Sequence, residues 1–183
     1  MKVRLRALQK NEPIEVYQLF QTLPAMEQGF DNPAFGLSLS DFETFVEKNL
    51  QMASGIGLDK GYATHTIYIF YADDRPVGIS KIRTYSDNAL LKRGGHIGCA
   101  IIPALRGKGL GSLLLKETIK EAHKRGLKDI LVGCYSDNLA SVRMIEKNGG
   151  VLEEDKNNIS WFWIKTSPAE KKRLNKHEIC GNI

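Results

Sequence analysis

A basic, glycine-rich turn lies in the middle of the chain, between an apolar segment and an amphipathic one. The apolar segment ends at Pro103, and the turn reads Arg106-Gly107-Lys108-Gly109-Leu110-Gly111-Ser112. Glycines let the backbone approach a ligand without intervening side chains. The start of a helix offers unpaired N–H groups and the positive end of the helix dipole to an anion. The spacing therefore predicts a phosphate-binding turn that opens directly into a helix.

Two common phosphate-binding patterns do not fit this turn. A nucleoside-triphosphate loop requires Ser or Thr directly after its lysine, whereas Lys108 is followed by Gly109. A dinucleotide fingerprint requires Gly-x-Gly-x-x-Gly, with an acid about 20 residues later at the end of a strand. If Gly109 and Gly111 are its first glycines, Leu114 occupies the third position, and Asp129 begins the next apolar run instead of ending it.

A third pattern does fit. The turn Arg106-Gly107-Lys108-Gly109-Leu110-Gly111 resembles the Arg/Gln-x-x-Gly-x-Gly/Ala signature of the GNAT N-acetyltransferases, which hold the pyrophosphate of acetyl-CoA. The segment 99–103 resembles the strand that precedes this signature. About 30 residues downstream, 138–141 and 146–150 resemble the second conserved block of the family. The resemblance covers residues 76–165 and is strongest to bacterial predicted acetyltransferases of unassigned substrate.

The resemblance implies an α/β (α+β) fold with a mixed, mostly antiparallel sheet of about seven strands. Helices would cover both faces, and the fourth and fifth strands would splay apart to admit the pantetheine arm. Acetyl-CoA is the implied cosubstrate, without a metal. The implied binding residues are Cys99, Ala100, Ile101, Arg106, Gly107, Lys108, Gly109, Leu110, Gly111, Ser112, Asn138 and Ser141. Among them, the backbone of Cys99 and Ile101 would bond to the arm, and the Ile101 amide would polarise the acetyl oxygen.

The catalytic positions of the family match this chain only in part. In enzymes that acetylate ribosomal-protein N-termini, a tyrosine follows the asparagine by seven residues and an acidic base precedes it by five. The corresponding residues here are Ile145 and Gly133, so that mechanism cannot be carried over. A related branch has a serine three residues after the asparagine, which matches Ser141. Its hydroxyl could protonate the departing thiolate, or it could be an ordinary serine of a first helical turn. Asn138 could also serve as the N-cap of that helix.

Two residues are candidates for the general base. His96 begins the fourth predicted strand, and the ordinary pKa of an imidazole suits proton removal near neutral pH. The alternative is a histidine that faces the core and is satisfied there. Tyr135 ends the fifth predicted strand, where it could act on the acceptor or only pack.

Hydrophobic periodicity predicts the elements that must position these residues. The predicted strands cover 2–8, 64–71, 77–84, 96–102, 128–135, 151–154 and 159–165. The first predicted helix begins at 11–13, and the other three cover 41–53, 109–125 and 139–147. A turn-rich patch from Gly29 to Ser40 carries candidate acceptor contacts, namely Phe30, Asp31, Asn32 and Phe35.

The bulk properties are those of an ordinary globular protein. With 183 residues, of which 42% are apolar and 26% charged, we expect one domain over 1–166 and a polar tail over 167–183. The net charge of +5 is scattered over the sequence, so we expect no nucleic-acid partner. Without an apolar run of about 18 residues, we expect no membrane partner. A homodimer is a further expectation from the family.

The number and spacing of the cysteines indicate a reducing compartment. Cys99, Cys134 and Cys180 are odd in number and far apart, which is typical of reduced thiols. The first residues alternate polar and apolar and lack the hydrophobic segment of a signal peptide. Both observations predict a cytoplasmic protein.

The leading functional hypothesis is an acetyl-CoA-dependent N-acetyltransferase that acts by direct transfer, without a covalent intermediate. Its acceptor would be a primary amine of a small molecule or a terminal amine. The missing acid and tyrosine leave a non-catalytic CoA-binding sensor as the alternative. A third hypothesis is an adaptor that binds through its basic tail.

Overall fold

Antiparallel strands and four helices build the part of the chain that the computed structural model describes, residues 1–58, 63–84 and 94–166. In chain order they are β1 (Val3–Ala7), α1 (Ile14–Thr22), β2 (Met26–Glu27), β3 (Phe30–Asp31), α2 (Leu39–Ala53), β4 (Thr64–Ala72), β5 (Arg75–Thr84), β6 (Ile97–Ile101), α3 (Leu110–Lys124), β7 (Asp129–Tyr135), α4 (Leu139–Lys147), β8 (Val151–Lys156) and β9 (Ile159–Lys165).

The strands form two larger sheets that meet at one point. One sheet has the order β1-β4-β5-β6 and the other β7-β9-β8, and every pairing within them is antiparallel. The sheets are joined where the His96 N–H donates to the Leu131 carbonyl at 2.7 Å, just before β6 begins. Beyond this bond, β6 pairs only with β5 among the described strands, so a cleft opens between β6 and β7.

Alternation along the central strands places helices on both faces of the larger sheet. Ile67 and Ile69 of β4 pack in one core with α1 and α2. Their neighbours Tyr68 and Phe70 face the opposite side and pack in cores that contain buried leucines of α3. The predicted architecture is therefore confirmed, including the splayed strand pair.

The seven predicted strands and four predicted helices are all present, with small changes at their ends. The second helix begins at Leu39, two residues earlier than predicted, because the Ser38 hydroxyl caps it by accepting the Asp41 N–H at 3.2 Å. The strand predicted to end at Glu154 continues to Lys156. Its hairpin turns at Asn157 and Asn158, which both have positive φ.

The hairpin of β2 and β3 was not predicted from the sequence. Gln28 and Gly29 both have positive φ (50° and 77°), as a two-residue turn of type I′ requires. The Phe30 ring lies over Gly98 of β6, and Gly29 lies beside the ring of Tyr135 at the end of β7. The hairpin therefore bridges the two strands where they separate.

The predicted loop over 86–93 and the tail over 167–183 lie outside the described residues. Within the described ranges, none of the helices has the length and apolar character needed to span a membrane.

Candidate active site

A cavity of about 480 Å³ lies where β6 and β7 separate. Its wall comes from the end of α1 and the β2–β3 hairpin, from β6 and the glycine-rich turn, and from the first turns of α3 and α4. The lining residues are Leu23, Pro24, Glu27, Gln28, Phe30, Cys99, Ala100, Ile101, Arg106, Gly107, Gly109, Gly111, Ser112, Asn138, Ala140, Ser141, Arg143, Met144 and Lys147.

The N-terminus of α3 opens into this cavity. Gly109 occupies the N-cap position with φ 79°, a left-handed conformation that favours glycine, and it provides no side-chain cap. The Leu113 N–H makes the bond to the Gly109 carbonyl at 3.3 Å that begins the helix. The amides of the preceding first turn have no acceptor within the helix. A 15-residue helix thus directs its dipole and its first N–H groups at the cavity.

Two basic residues of α4 add positive charge to the same end. Arg143 and Lys147 stand one helical turn apart and both line the cavity. Neither residue was predicted from the sequence, although Arg143 follows Ala140 by three residues and Lys147 follows Arg143 by four, a spacing typical of one helix face.

The start of α4 is held by its own asparagine. The Asn138 Oδ1 accepts the Ser141 N–H at 3.1 Å, so Asn138 caps the helix while lining the cavity. At the other end of α4, the Asn148 Nδ2 donates to the Ser112 Oγ at 3.1 Å and to the Met144 carbonyl at 2.8 Å. The ends of α4 thereby fix the position of Ser141 and of the first turn of α3.

The backbone of β6 presents alternate residues to the cleft. The Ile102 N–H donates to Val77 of β5, and the His96 carbonyl accepts from Arg83 of β5. Since strand residues alternate in direction, the amides of Cys99 and Ile101 point away from β5. The Cys99 side chain instead packs against buried leucines of α3. Its thiol lies 3.5 Å from the Oγ of Ser80 in β5. Burial raises the pKa of this thiol to about 11.

Most of the predicted binding residues meet at this cavity. Those that line it are Cys99, Ala100, Ile101, Arg106, Gly107, Gly109, Gly111, Ser112, Asn138 and Ser141. Two predicted residues do not line it. Lys108 is exposed on the turn, and the Leu110 side chain is 5% exposed and packs in the core beneath the turn.

The two candidate bases lie outside the cavity wall. The His96 Nδ1 accepts the Leu131 N–H at 2.8 Å, so the ring holds the two sheets together. Burial lowers the pKa of this imidazole. Tyr135 is 39% exposed, and its ring lies about 3.7 Å from where a Cβ on Gly29 would stand. His96 thus bonds to β7, and Tyr135 packs beside the β2–β3 hairpin, both at the edge of the cleft.

Gly133 and Ile145, the two positions that differ from the ribosomal-protein enzymes, also have packing roles. A Cβ on Gly133 would stand 2.6 Å from the Cζ3 of Trp161. Ile145 is 1% exposed and belongs to the core beneath α4. Neither position could present a catalytic side chain to the cavity without repacking.

The hairpin residues contribute a wall that the sequence analysis only partly anticipated. Phe30 lines the cavity as expected, and Glu27 and Gln28 were missed. Asn32 is buried and donates to the carbonyls of Phe20 and Leu23, which ties the hairpin to α1. The Asp31 carbonyl accepts from Lys81 at 2.7 Å, whereas Phe35 is exposed.

Comparisons with known proteins agree with this geometry. The model of the acetyltransferase (GNAT) family matches residues 36–150. A search of curated proteins gives no match. Among solved structures, RimL, the ribosomal L7/L12 alpha-N-protein acetyltransferase in complex with coenzyme A, is 20% identical with a TM-score of 0.66, over 90% of this chain and 94% of that chain.

Two further solved structures share the fold. The microcin C7 self-immunity acetyltransferase MccE, in complex with acetyl-CoA and AMP, is 18% identical with a TM-score of 0.64, over 90% of this chain and 92% of that chain. PseH from Campylobacter jejuni, in complex with acetyl coenzyme A, is 14% identical with a TM-score of 0.58, over 91% of this chain and all (100%) of that chain. These findings confirm the predicted family resemblance and fold.

Proposed function

The chain belongs to the acetyltransferase (GNAT) family of acyltransferases, and we propose that its cavity binds acetyl-CoA and passes the acetyl group directly to a primary amine. The acceptor is a small molecule or a terminal amine. One observation carries the proposal: the uncapped start of α3 opens into a cavity that continues along the free side of β6.

The glycine-rich turn and α3 would hold the pyrophosphate. The N–H groups from Gly107 to Ser112 suit an anion because the first turn of a helix leaves them without intrahelical acceptors. The charges of Arg143 and Lys147 on the facing wall favour the same ligand. Their position supports a role in binding the phosphates of coenzyme A.

The free side of β6 would hold the thiol arm. The amides of Cys99 and Ile101 point toward the cleft, where an extended ligand could bond to them as an added strand does. The Ile101 amide is then our choice for polarising the acetyl oxygen. Asn138 stands across the cleft from these groups, and its Nδ2 is available in addition to its capping oxygen.

Ser141 is the proposed acid for the departing thiolate. Its amide is fixed by Asn138, and its side chain belongs to the cavity wall. The nearby Cys99 thiol is a poor nucleophile because burial keeps its pKa at about 11. This supports direct transfer over an acyl-cysteine intermediate.

The choice of acceptor follows from the acids and bases at the cavity. Glu27 is the one carboxylate among its described lining residues. Hydrogen bonding by Arg106 holds the pKa of this carboxyl below its usual value, which makes it a weak base. At pH 7, deprotonation costs about 4–5 kcal/mol for a lysine amine but about 1–1.5 kcal/mol for an α-amino group. A site without a strong base therefore suits an amine of low pKa.

Turnover of a panel of amines tests this function. Purified protein is incubated with acetyl-CoA and with amines of graded pKa, including amino acids, peptides with free N-termini and N-terminally blocked lysine peptides. We expect acetylated product by mass spectrometry for low-pKa amines, with rates that rise with pH as the acceptor loses its proton. A clear preference for lysine would contradict the acceptor class. Binding of acetyl-CoA without any acetylated product would support the sensor alternative.

The remaining expectations stay predictions. We place the reaction in the cytoplasm, which the unpaired thiols of Cys99 and Cys134 support. A homodimer, a single domain over 1–166, and the absence of nucleic-acid and membrane partners also stay predictions.

A further inference from the structure

Arg106 joins the glycine-rich turn to the opposite wall of the cavity. Its Nη1 and Nη2 donate to the two carboxylate oxygens of Glu27 at 2.7 and 2.6 Å. Its Nε donates to the Ile101 carbonyl at 2.9 Å. Three of the five guanidinium N–H groups are thus engaged, and the fork-to-fork contact fixes the orientation of both side chains.

We propose that Glu27 and Arg106 are a positioning pair that couples coenzyme A binding at the turn to the acceptor wall formed by the β2–β3 hairpin. The inference rests on the proposed function, since it names how that same site is organised. Neither residue needs to touch the reacting atoms for this role.

The hairpin depends on such tethers because its own ladder is short. Its strands have two residues each, and a hairpin of this size is unstable alone. Apart from Glu27, it is held by Asn32, which donates to two carbonyls at the end of α1. It is also held by Lys81, whose Nζ donates to the Asp31 carbonyl at 2.7 Å and lies 5.0 Å from the centre of the Phe30 ring. Of these tethers, the bond from Glu27 to Arg106 is the one that leads to the phosphate-binding turn.

Arg106 is placed to respond to the ligand because it is the first residue of the glycine-rich turn. Holding its side chain at Ile101 and Glu27 fixes where the backbone enters Gly107. An anion on the turn orders this backbone, and the pair transmits that order to the hairpin. Lys108, which is exposed on the same turn and does not line the cavity, offers a contrast.

Arg106 also neutralises the Glu27 carboxylate, which would otherwise repel a bound diphosphate. Without Arg106, the Glu27 carboxylate would stand uncompensated at a cavity that binds a diphosphate and would repel it. Without Glu27, the freed guanidinium still attracts the anion. The two single variants should therefore differ in coenzyme A affinity, and the double variant should recover part of what the arginine variant loses.

Calorimetry with coenzyme A tests the charge relation. We expect Arg106→Gln to weaken binding by about tenfold or more, as an uncompensated carboxylate implies. Glu27→Gln should change the affinity by less than about threefold, and the double variant Glu27→Gln/Arg106→Gln should recover part of the loss. Glu47→Gln, which removes a carboxylate from the exposed pair with Lys10, is the control and should leave affinity unchanged. Additive losses in the double variant would overturn the proposal.

Hydrogen exchange tests the coupling without an acceptor. In the wild type, coenzyme A should slow exchange both at 106–113 and at the hairpin residues 26–31. In Glu27→Gln, it should slow exchange at 106–113 only. Hairpin protection that survives in this variant would contradict the coupling.

The two hypotheses fail in different ways. If the wild type binds no coenzyme A, the proposed function fails. The pair is then judged by exchange of the free protein, where Glu27→Gln must speed exchange at 26–31 and Glu47→Gln must not. Equal exchange in all three proteins would overturn the positioning role as well.

Discussion

The indole of Trp161 lies against the backbone of Gly133, where a Cβ would stand 2.6 Å from its Cζ3 and 2.8 Å from its Cε3. The two residues are direct partners in the β7–β9 ladder. Five residues before Asn138, the ring therefore fills the space that a side chain would need, and this position has a packing role.

Gly133→Ala should therefore destabilise the protein by about 1–3 kcal/mol, the usual cost of overpacking a core. Chemical denaturation measures the change in the free energy of unfolding. Gly98→Ala is the matched control, because a Cβ there would meet the Phe30 ring at an ordinary 3.5 Å. If both variants lose the same stability, the Trp161 contact does not explain the glycine.

Ser141→Ala should slow turnover while leaving coenzyme A binding intact. The backbone bond from residue 141 to Asn138 survives the substitution, so the helix start is preserved. Loss of one positioned acid lowers kcat by about 10²-fold or more. Steady-state kinetics with the best amine of the panel, together with a binding measurement, separates the two effects. Ser54→Ala, at the far end of α2, is the control. An unchanged kcat in Ser141→Ala would show that the hydroxyl is not the acid.

Arg143→Ala and Lys147→Ala should each weaken coenzyme A binding and reduce its dependence on salt. Both side chains line the cavity beside the start of α3, and contacts between unlike charges weaken as ionic strength rises. Affinity measured at two salt concentrations gives the result. Lys128→Ala, which removes an equal charge between α3 and β7, should behave as the wild type. The assignment would be wrong if all three variants bound alike at low salt.

The site elements with strong local signals were predictable from the sequence. The uncapped start of α3 follows from three glycines around Arg106 and Lys108, and α4 follows from Asn138 before an amphipathic run. The observed helices differ from these predictions by one residue at most. At these two helix starts, the local backbone preference agrees with the role in the folded protein. Both the helix boundary and the place of the site can therefore be predicted from the sequence.

The acceptor wall could not be predicted in the same way. β2 and β3 are too short to show a period of two, and their turn at Gln28-Gly29 is a weak signal. The role of Glu27 depends on its ion pair with Arg106, which is 79 residues away along the chain. His96 was ambiguous for a similar reason, because its bond to Leu131 depends on how the two sheets meet.

Acid should destabilise the protein through His65. This ring is bonded to the Asn49 Oδ1 at 2.8 Å, and burial, with the charges of Lys81 and Arg83, lowers its pKa from 6.5 to about 4. Between these values, the unfolded chain binds a proton that the folded chain does not, so stability falls as the pH drops from about 6.5 to about 4. Below that range both states are protonated and the contribution levels off.

Melting temperatures at pH 7 and pH 4.5 check this dependence in the wild type and in His65→Gln. The variant should lose less stability between the two pH values. It should keep a residual slope, because burial lowers the pKa of His96 in the same direction. An identical drop in both proteins would exclude His65 as a source of the acid sensitivity.

Calorimetry of coenzyme A binding tests the central claim most directly, with Gly109→Asp and Gly126→Asp compared with the wild type. Both glycines have positive φ and open space around a would-be Cβ, and they flank opposite ends of α3. Both variants therefore share a similar backbone strain and the same added charge. Our account predicts that the wild type binds, that Gly109→Asp loses about tenfold or more in affinity through repulsion of the pyrophosphate, and that Gly126→Asp binds normally. No heat with the wild type, or equal affinity in both variants, would contradict it.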